Sequence, residues 1–516
     1  MIATGGERSA QSDELPAQPW QDGWTREGGS PWWRDDPATM RIAKPGGSRL
    51  NRGLVRTSPR ATQRNLRAHR IRIRLIRALW LATFLVLVYV PLALAPEAGG
   101  EHRPWSKGGI WVELCLTTGL LGLSTLAATI VLPSRVRSLT ESFGIETVLR
   151  SHTWLALVTT VVVVAHVGFI VLDRPLNVLL LSPGPTGANR ARAGLIATVS
   201  LILLCWLSFR RKRTGTRYDV WRWVHAMLAV AALVGTYLHV FWLNHLMRNA
   251  AERTVFLAVL VGVGALMINR WIRRPFTSLR NGYVVKEIRR ESPTVSSLVL
   301  SPARRRQRPM RYRPGQFAWI RLDSPFGPLQ GNPFSLSSGI DTRGELRFTI
   351  RNAGDFTATI GQLRPGRRVF VDGPYGDFND DRTGADSLLL IGAGVGMAPM
   401  MSILRSHAFR GDRRPHCLVV AARSPAELLF TRELEEMRDE LQMDVIEVVS
   451  DPPDSWKGVT GRVDAELLEE ILEAYGLFEA HVFICGPPSM MEDCTQALAG
   501  LGVDAARVHT EQFDMV

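Results

Sequence analysis

Six apolar stretches fill the first half of this 516-residue chain and restrict what it can fold into. They cover residues 75–95, 110–132, 152–172, 193–209, 221–243 and 254–270, and each is close to the length that crosses a bilayer. Arginine and lysine are sparse in the connections after the first, third and fifth stretches and cluster in the others. Because positive charge favours the cytoplasmic side, the pattern predicts a multi-pass protein of the cell membrane with both termini in the cytoplasm.

Four histidines in these stretches repeat one spacing. His152 and His166 lie in the third stretch, His225 and His239 lie in the fifth, and the members of both pairs are 14 residues apart. Fourteen residues make almost four helical turns, so each pair shares one helix face at a separation of about 21 Å. The third and fifth spans run in the same direction, which places His152 beside His225 near the cytoplasm and His166 beside His239 near the outer face.

The repeated spacing favours metal ligands over buried structural histidines. A single histidine in an apolar helix is usually a hydrogen-bonded core residue, but ionisable groups at matching depths in two membrane helices indicate function. Two bis-histidine haems, one above the other, explain both spacings. A mononuclear zinc or copper site needs ligands close together, and these segments contain no histidine or cysteine cluster at short spacing. We therefore expect two b-type haems.

Composition excludes other classes of protein. The net charge of +14 suggests nucleic acid, but the arginines crowd near the ends of the apolar stretches, as membrane topology requires. The five cysteines lack the short spacings of a zinc site or an iron–sulfur cluster, and they imply no disulfide framework. Residues 1–70 are rich in Gly, Pro, Ser, Trp and charge, which predicts a disordered basic cytoplasmic arm before the six-span domain at 71–275.

The second half has the pattern of two further domains. Residues 281–380 contain alternating strands and Pro-Gly turns, which predict a small antiparallel β-barrel. In residues 386–516, apolar strands alternate with helical segments, which is typical of a parallel α/β sheet that binds a nucleotide. The expected fold class is thus a six-helix transmembrane bundle followed by an antiparallel barrel and an α/β domain.

A glycine-rich loop predicts the nucleotide site. Gly392, Gly394 and Gly396 follow an apolar strand, and Pro399 lies at the start of the next helix. Such glycines let the backbone approach a pyrophosphate at the positive end of a helix, although a glycine run alone can also be a tight turn. After the next strand come Arg423 and Ser424, where enzymes that select NADH often place a carboxylate. A cation and a hydroxyl suit a 2′-phosphate, which favours NADPH over NADH.

Further motifs occur in a recognisable order. They are Asn332-Pro333-Phe334-Ser335, the segment 351–357, Asp372-Gly373-Pro374-Tyr375-Gly376, Cys485-Gly486-Pro487-Pro488 and Glu511-Gln512-Phe513. In this order they resemble the ferredoxin-NADP reductase superfamily. With the histidine-bearing spans in front, the chain from about residue 75 resembles the ferric reductase and NADPH oxidase family of transmembrane flavocytochromes b.

The resemblance implies roles for these motifs. Phe334 would stack on the flavin of FAD, and Ser335 would approach its isoalloxazine, with Asn332 and Pro333 in the same contact segment. The remaining roles are phosphate binding by Arg351, Gly354 and Thr357, contact with the nicotinamide by Cys485, Gly486 and Pro487, and a flavin cover by Phe513. Ser335, Cys485 and Phe513 are therefore the expected catalytic residues. The chain departs from the family at Asn332, where relatives usually have His or Arg, and at Phe513, which lies three residues before the C-terminus.

The same resemblance implies a relay. NADPH would reduce FAD, and single electrons would pass through the inner and outer haems to a small acceptor on the outer face, either O₂ or a ferric complex. Two rival interpretations remain. One is a membrane-anchored flavoreductase with structural histidines that serves a cytosolic acceptor, and the other is a haem-binding or sensing module with a degenerate reductase. The 14-residue spacings argue against the first rival, and the intact motifs argue against the second.

Overall fold

The computed structural model describes residues 59–93, 109–173, 175, 188–214, 218–243, 250–280, 282–304, 306–322, 331–340 and 344–512. Its first half, here called the helical half, consists of helices α1 (Pro59–Ala93), α2 (Gly109–Val131), α3 (Arg137–Phe143), α4 (Ile145–Asp173), α5 (Asn189–Thr214), α6 (Tyr218–Leu243), α7 (Ala250–Ile268) and α8 (Arg274–Arg280). A π-helical turn, Asn269–Arg273, joins α7 to α8 without a break.

Five helices of the described chain are long and apolar enough to cross a membrane. They are Ile110–Ser134, Ile145–Asp173, Asn189–Arg211, Val220–Leu243 and Arg253–Arg280, and they coincide with the second to sixth expected stretches. The first expected stretch, 75–95, lies on α1 and runs past its last described residue, so a sixth span stays a prediction.

The arm predicted at residues 1–70 is shorter than expected, because α1 already begins at Pro59. No Gly or Pro occurs between Arg60 and Tyr89, and arginine and leucine both have high helix propensity. The helix therefore extends from the apolar stretch back through the arginine-rich segment, and the disorder predicted for residues 59–70 is wrong. The rest of the arm lies outside the described residues.

Small residues let the membrane helices pack closely in two pairs. Helix α2 packs along α4, and α5 packs along α6. A Cβ added at Gly122 would lie 3.1 Å from Val163, and one added at Gly235 would lie 2.8 Å from the carbonyl oxygen of Ala193. Without side chains at these positions the backbones approach each other, as is common between helices in lipid. The two pairs bring α4 and α6 to face each other.

The second half, here called the sheet half, begins with an antiparallel sheet. Its strands are β1 (Tyr283–Arg290), β2 (Val295–Pro302), β3 (Phe317–Arg321), β4 (Asn332–Ser335), β5 (Leu346–Arg351) and β6 (Arg368–Tyr375), in the order β4-β3-β6-β1-β2-β5. Helix α9 (Asp355–Ile360) follows β5. Among the described residues, one antiparallel bridge between Leu336 and Phe348 joins the two edges of this sheet.

The predicted parallel sheet is confirmed. It contains β7 (Leu388–Ala393), β8 (His416–Ala422), β9 (Met443–Val449), β10 (Val459–Thr460), β11 (His481–Cys485) and β12 (Val508–Thr510), in the order β10-β9-β8-β7-β11-β12. The helices between its strands are α10 (Met397–Arg410), α11 (Thr431–Glu440), α12 (Ala465–Tyr475) and α13 (Pro488–Gly500). Separate apolar clusters cover its two faces, which explains why β7 is apolar at every position from Leu388 to Ile391.

Candidate functional site

The four predicted histidines form two facing pairs between α4 and α6. The ring centroids of His152 and His225 are 6.4 Å apart, and those of His166 and His239 are 6.3 Å apart. The first pair lies at the end of the bundle that meets the sheet half, since His152 contacts Thr129 near the end of α2. The pairing inferred from spacing and topology is therefore the pairing in the structure.

The Nδ1 atom of each histidine forms a hydrogen bond with a residue of a neighbouring helix, α2 or α5. The acceptors are backbone carbonyl oxygens for three of them, at 2.9 Å from His152, 2.8 Å from His166 and 2.7 Å from His239. The fourth, His225, lies 3.4 Å from the hydroxyl of Ser208, which donates its own proton to Leu204. A carbonyl can only accept, and the Ser208 hydroxyl has already donated its proton. In all four histidines Nδ1 therefore carries the proton, and Nε2 keeps a free lone pair.

These pairs fit a metal held between two imidazoles. Such a metal lies about 2.0 Å from each nitrogen, so the two ring centres stand about 6.3 Å apart. Histidine ligands in proteins commonly donate their other N–H to a carbonyl, which fixes the ring and its tautomer. The distances of 6.4 and 6.3 Å and the Nδ1 bonds agree with both features.

Two glycines behind the second pair were missed by the sequence analysis. A Cβ added at Gly119 of α2 would lie 2.9 Å from Cε1 of His166, and one added at Gly194 of α5 would lie 2.8 Å from Nδ1 of His239. Any larger residue would push the imidazole from its place. Nothing in the sequence distinguishes these two from the other glycines of the membrane stretches, because their role depends on which helix lies alongside.

A buried ionic cluster joins the two halves of the chain and was also missed. The Asp372 carboxylate on β6 lies 3.1 Å from Arg135 and 3.3 Å from Arg274, and the Tyr375 hydroxyl donates to it at 2.9 Å. Arg135 has a left-handed backbone (φ 58°) and stacks on the Trp319 ring at 3.6 Å. Burial alone would raise the pKa of Asp372, but the charges of Arg135 and Arg274 outweigh it and hold that pKa below its usual range.

Further contacts continue this interface. Arg137 of α3 donates to the carbonyl oxygen of Gly373 at 2.6 Å, and Ser278 of α8 donates to that of Val371 at 2.9 Å. On α6, Arg222 donates to the carbonyl oxygen of Gly331 at 3.1 Å. Gly331 directly precedes β4, and Arg222 lies three residues before His225. The predicted flavin-contact strand is thus tied to the helix that carries one of the paired histidines.

The predicted flavin segment forms β4. Phe334 stacks on Phe356 with ring centroids 6.0 Å apart, and both rings pack partly buried against the core of the antiparallel sheet. Asn332 and Pro333 pair with β3. The Ser335 hydroxyl is buried and has no hydrogen-bond partner among the described residues. A buried orphan hydroxyl beside an aromatic pair is suited to a polar atom of a planar ligand.

The predicted phosphate segment forms an exposed turn at the end of β5. Arg351 and Gly354 are both exposed, and Gly354 precedes α9. The Thr357 hydroxyl accepts from the backbone N–H groups of Ala353 at 2.8 Å and Gly354 at 2.9 Å. Thr357 therefore orders this turn, and the contact of the three residues with phosphate stays a prediction.

The glycine loop and the Cys485 segment meet at the carboxyl edge of the parallel sheet. A Cβ added at Gly396 would lie 2.1 Å from the carbonyl oxygen of Cys485, and one added at Gly486 would lie 3.0 Å from Ala393. Gly394 adopts a left-handed backbone with φ +51°, which glycine tolerates. Gly392 is the next-to-last residue of β7, Pro399 is buried in the first turn of α10, and Pro487 caps α13. These motifs, 90 residues apart, form one cleft.

Arg423 and Ser424 lie at the same edge, directly after β8. The Arg423 side chain is exposed, and its carbonyl accepts from the N–H of Asp451 at 2.8 Å. Because β7 and β8 are neighbours, Arg423 and the glycine loop follow adjacent strands, and the contact of Arg423 with a nucleotide stays a prediction.

Cys485 and Glu511 form a buried pair beside this cleft. The Cys485 thiol donates to the carbonyl oxygen of Glu511 at 3.3 Å, and burial raises the pKa of the thiol well above its usual value. Burial and the charge of Asp377 raise the pKa of Glu511 to about 8. Both groups therefore carry protons near pH 7. Phe513 lies outside the described residues.

A second buried network lies at the opposite edge of the parallel sheet. His407 contacts Asp380 at 2.9 Å and His416 at 2.7 Å, and Arg414 pairs with both Asp380 and Asp412. His407, Asp412 and His416 have the residue types of a metal site. Arg414 pairs with both carboxylates and the two histidines bond to each other, so the group forms a hydrogen-bond network that joins α10 to β8.

Comparison with protein families identifies two components in the chain. Residues 118–236 match the family described as ferric reductase like transmembrane component, and residues 390–496 match the oxidoreductase NAD-binding domain. The first match contains His152, His166 and His225, and His239 lies just beyond its end. The second match contains the glycine loop and Cys485.

Curated relatives are similar to about two fifths of the chain. The chain is 32% identical over 207 residues to the stachydrine N-demethylase reductase subunit of Rhizobium meliloti, covering 39% of this chain and 58% of that protein. It is 33% identical over 198 residues to the sulfhydrogenase 1 subunit gamma of Pyrococcus furiosus, covering 37% and 64%. The alignments thus span less than two thirds of each relative.

A solved structure similar to the chain is the FAD/NAD binding domain of nitric oxide dioxygenase from Vibrio cholerae. It is 27% identical with a TM-score of 0.40, covering 45% of this chain and 98% of that one. The two family matches confirm the resemblance seen in the sequence, because the chain joins a segment similar to a ferric reductase-like transmembrane component to a segment similar to an oxidoreductase NAD-binding domain.

Proposed function

We propose that this protein carries electrons from a nicotinamide nucleotide, preferably NADPH, across the cell membrane to O₂ or a ferric complex, with the sheet half in the cytoplasm and six spans in the bilayer. The proposal rests chiefly on the two facing histidine pairs, whose ring centroids are 6.4 and 6.3 Å apart. When bound, FAD would convert a two-electron hydride donor into single electrons, and two b-type haems would conduct these electrons one at a time.

The four histidines would hold the two haems. Their Nδ1–H groups are fixed to neighbouring helices, so the four Nε2 lone pairs stay available. His152 and His225 would hold the haem nearer the sheet half, and His166 and His239 the haem nearer the far side. Fourteen residues of helix separate the two levels by about 21 Å. The spacing would therefore provide two successive haem sites for electron transfer along the bundle.

In the sheet half, β4 and the nucleotide cleft would hold the flavin and the nicotinamide. Phe334 offers an aromatic face, and the buried Ser335 hydroxyl offers a hydrogen bond that no described residue uses. Arg222 fixes the strand next to the helix of His225 and so positions the flavin site against the nearer histidine pair. Arg423 would bind the 2′-phosphate of NADPH. One set of relatives is named as Na⁺-translocating NADH-quinone reductases, which leaves NADH as the alternative donor.

Cys485 and Glu511 would supply neutral groups beside the nicotinamide. Since the pKa values of both are raised, neither adds a negative charge next to the phosphates near pH 7. Cys485 would therefore contact the ring as a protonated thiol and not act as a thiolate nucleophile.

The closest alternative is an anchored flavoreductase whose histidines are structural. The substitution His239→Leu separates the two functions, because it removes one ligand of the far pair and leaves the near pair intact. We expect two b-type haems per wild-type chain in the reduced-minus-oxidised spectrum, and one in the variant. The variant should still reduce a soluble dye with NADPH but lose reduction of an acceptor enclosed in sealed vesicles.

Met227→Leu is the matched control, since Met227 lies on the same helix and is 62% exposed. It should keep both haems and full transmembrane reduction. A His239→Leu protein with two haems and undiminished transmembrane reduction would exclude the ligand role and favour the anchored flavoreductase.

A further inference from the structure

A cavity of about 430 Å³ lies where the helical half meets the antiparallel sheet. The π-helical turn and α8 form one wall, with Asn269, Arg273 and Thr277. The connection between β2 and β3 forms another wall, with Arg308. Asp372 of β6 also lines it. No residue predicted from the sequence to bind a cofactor lines it.

Positive charge dominates the lining of this cavity. Four arginines line it, Arg137, Arg273, Arg274 and Arg308, and Asp372 is the one acidic side chain among its lining residues. The charge of Asp372 is already shared between Arg274 and Arg135. Within the described part of the chain, Arg137, Arg273 and Arg308 form no salt bridge. Arg137 donates to the Gly373 carbonyl and Arg273 to the Asn269 side chain, but no described carboxylate pairs with these three guanidinium groups, which can bind phosphate oxygens in a bidentate manner.

The π-helical turn and α8 have a second face, and this face places the cavity at the membrane surface. Ile268, Ile272 and Phe276 are each at least half exposed, at 58%, 50% and 52%, and Trp271 is 38% exposed. These residues lie in the last part of the span Arg253–Arg280. Apolar side chains and tryptophan at the end of a span are typical of the interface between acyl chains and headgroups. Arg273 and Arg274 lie on the other face of the same segment, whereas Arg137 and Arg308 reach the cavity from other elements.

We propose that this cavity binds the phosphate of an anionic phospholipid from the leaflet that faces the sheet half. A basic pocket between membrane helices at this depth suits a lipid phosphate, and the adjacent apolar face suits its acyl chains. Arg137 and Arg273 belong to the helical half, whereas Arg308 belongs to the sheet half. A bound headgroup would therefore bridge the two halves with charge-assisted hydrogen bonds.

Photo-crosslinking tests the proposal on the full-length protein. The chain is reconstituted in nanodiscs of phosphatidylcholine that contain a trace of diazirine-labelled phosphatidate, and the labelled fraction is measured by mass spectrometry. We expect labelling of peptides from 268–280 or 306–312, with competition by unlabelled phosphatidate. Arg273→Gln and Arg308→Gln should each reduce labelling about fivefold, the effect of one arginine near an anionic headgroup.

Arg280→Gln is the matched control, because Arg280 lies at the end of α8 but does not line the cavity. It should label as the wild type does. The two test variants change different halves of the chain, so a folding defect in one, seen by size-exclusion elution or circular dichroism, leaves the other as a test. An equal loss in Arg280→Gln, undiminished labelling in a folded test variant, or displacement by millimolar inorganic phosphate would each overturn the lipid site.

Discussion

Removing the Asp372 carboxylate should loosen the contact between the two halves. In Asp372→Asn, Arg135 and Arg274 keep their positions but lose their shared counter-charge. Their side chains are only 7% and 17% exposed, and that of Asp372 is 14% exposed, so water screens the cluster weakly. Breaking a buried ion pair on one side costs about 3–5 kcal/mol. We expect the docked arrangement to lose stability on this scale.

Hydrogen exchange of the full-length protein measures this loss. The amides of Thr140 and Gly144 are bonded within the segment 136–144, which follows Arg135. If docking protects them, a loss of 3–5 kcal/mol speeds their exchange by about 100-fold to a few thousand-fold, up to the limit set by global unfolding. Haem reduction by NADPH should slow in the same variant, while dye reduction at the flavin continues.

The control is Asp381→Asn, which makes the same change in an exposed pair. Asp381 binds Arg410, whose side chain is 40% exposed, and such pairs contribute about 1 kcal/mol or less. Exchange in 136–144 should not change in this control. If Asp372→Asn also leaves exchange in that segment and haem reduction unaltered, the carboxylate does not hold the halves together.

Three further substitutions test the site. Gly194→Ala should displace His239 and lower the haem content measured by pyridine haemochrome, whereas Gly262→Ala should not, because nothing lies within 4 Å of a Cβ there; equal haem content in both would contradict the packing argument. The wild type should have a lower Michaelis constant for NADPH than for NADH, and Arg423→Asp should reduce or reverse this difference. Equal use of both nucleotides by the wild type would contradict the predicted role of Arg423. The Glu511 carboxyl has a folded pKa of about 8 against an ordinary 4.5, so the unfolded chain releases this proton first and the wild type should lose stability as pH rises from about 4.5 to 8. Glu511→Gln should abolish the part of this pH dependence that comes from Glu511. If the thermal midpoints of the variant and the wild type differ by the same amount at pH 5 and at pH 8, the raised pKa of Glu511 is refuted.

Regular periodicity explains what could be predicted from the sequence. The 14-residue spacing determines that His152 and His166 share a helix face, and span direction determines that His152 meets His225. Likewise, apolar runs such as Leu388–Ile391 predicted the parallel sheet, because a strand covered on both faces needs apolar residues at every position.

Contacts between elements far apart in the chain could not be predicted in this way. Arg135 and Asp372 are separated by 237 residues, and no local pattern marks either as a partner. The same holds for Gly194 behind His239, since its role depends on the packing of α5 along α6. The start of α1 was misplaced because the Gly, Pro, Ser, Trp and charge content of residues 1–70 suggested disorder throughout, although the arginines in its last part are good helix formers.

The shared carboxylate has a consequence for the order in which the chain is made. Translation produces Arg135 and Arg274 before Asp372, and Arg274 donates to the carbonyl oxygen of Arg135 at 2.6 Å, so the two cations approach each other. Until β6 has emerged and folded, their mutual repulsion has no counter-charge. A nascent chain that ends before β6 should therefore hold the α2–α4 connection apart from α8. Closure of the end of the bundle that meets the sheet half would then be one of the last steps of biogenesis, after the antiparallel sheet has formed.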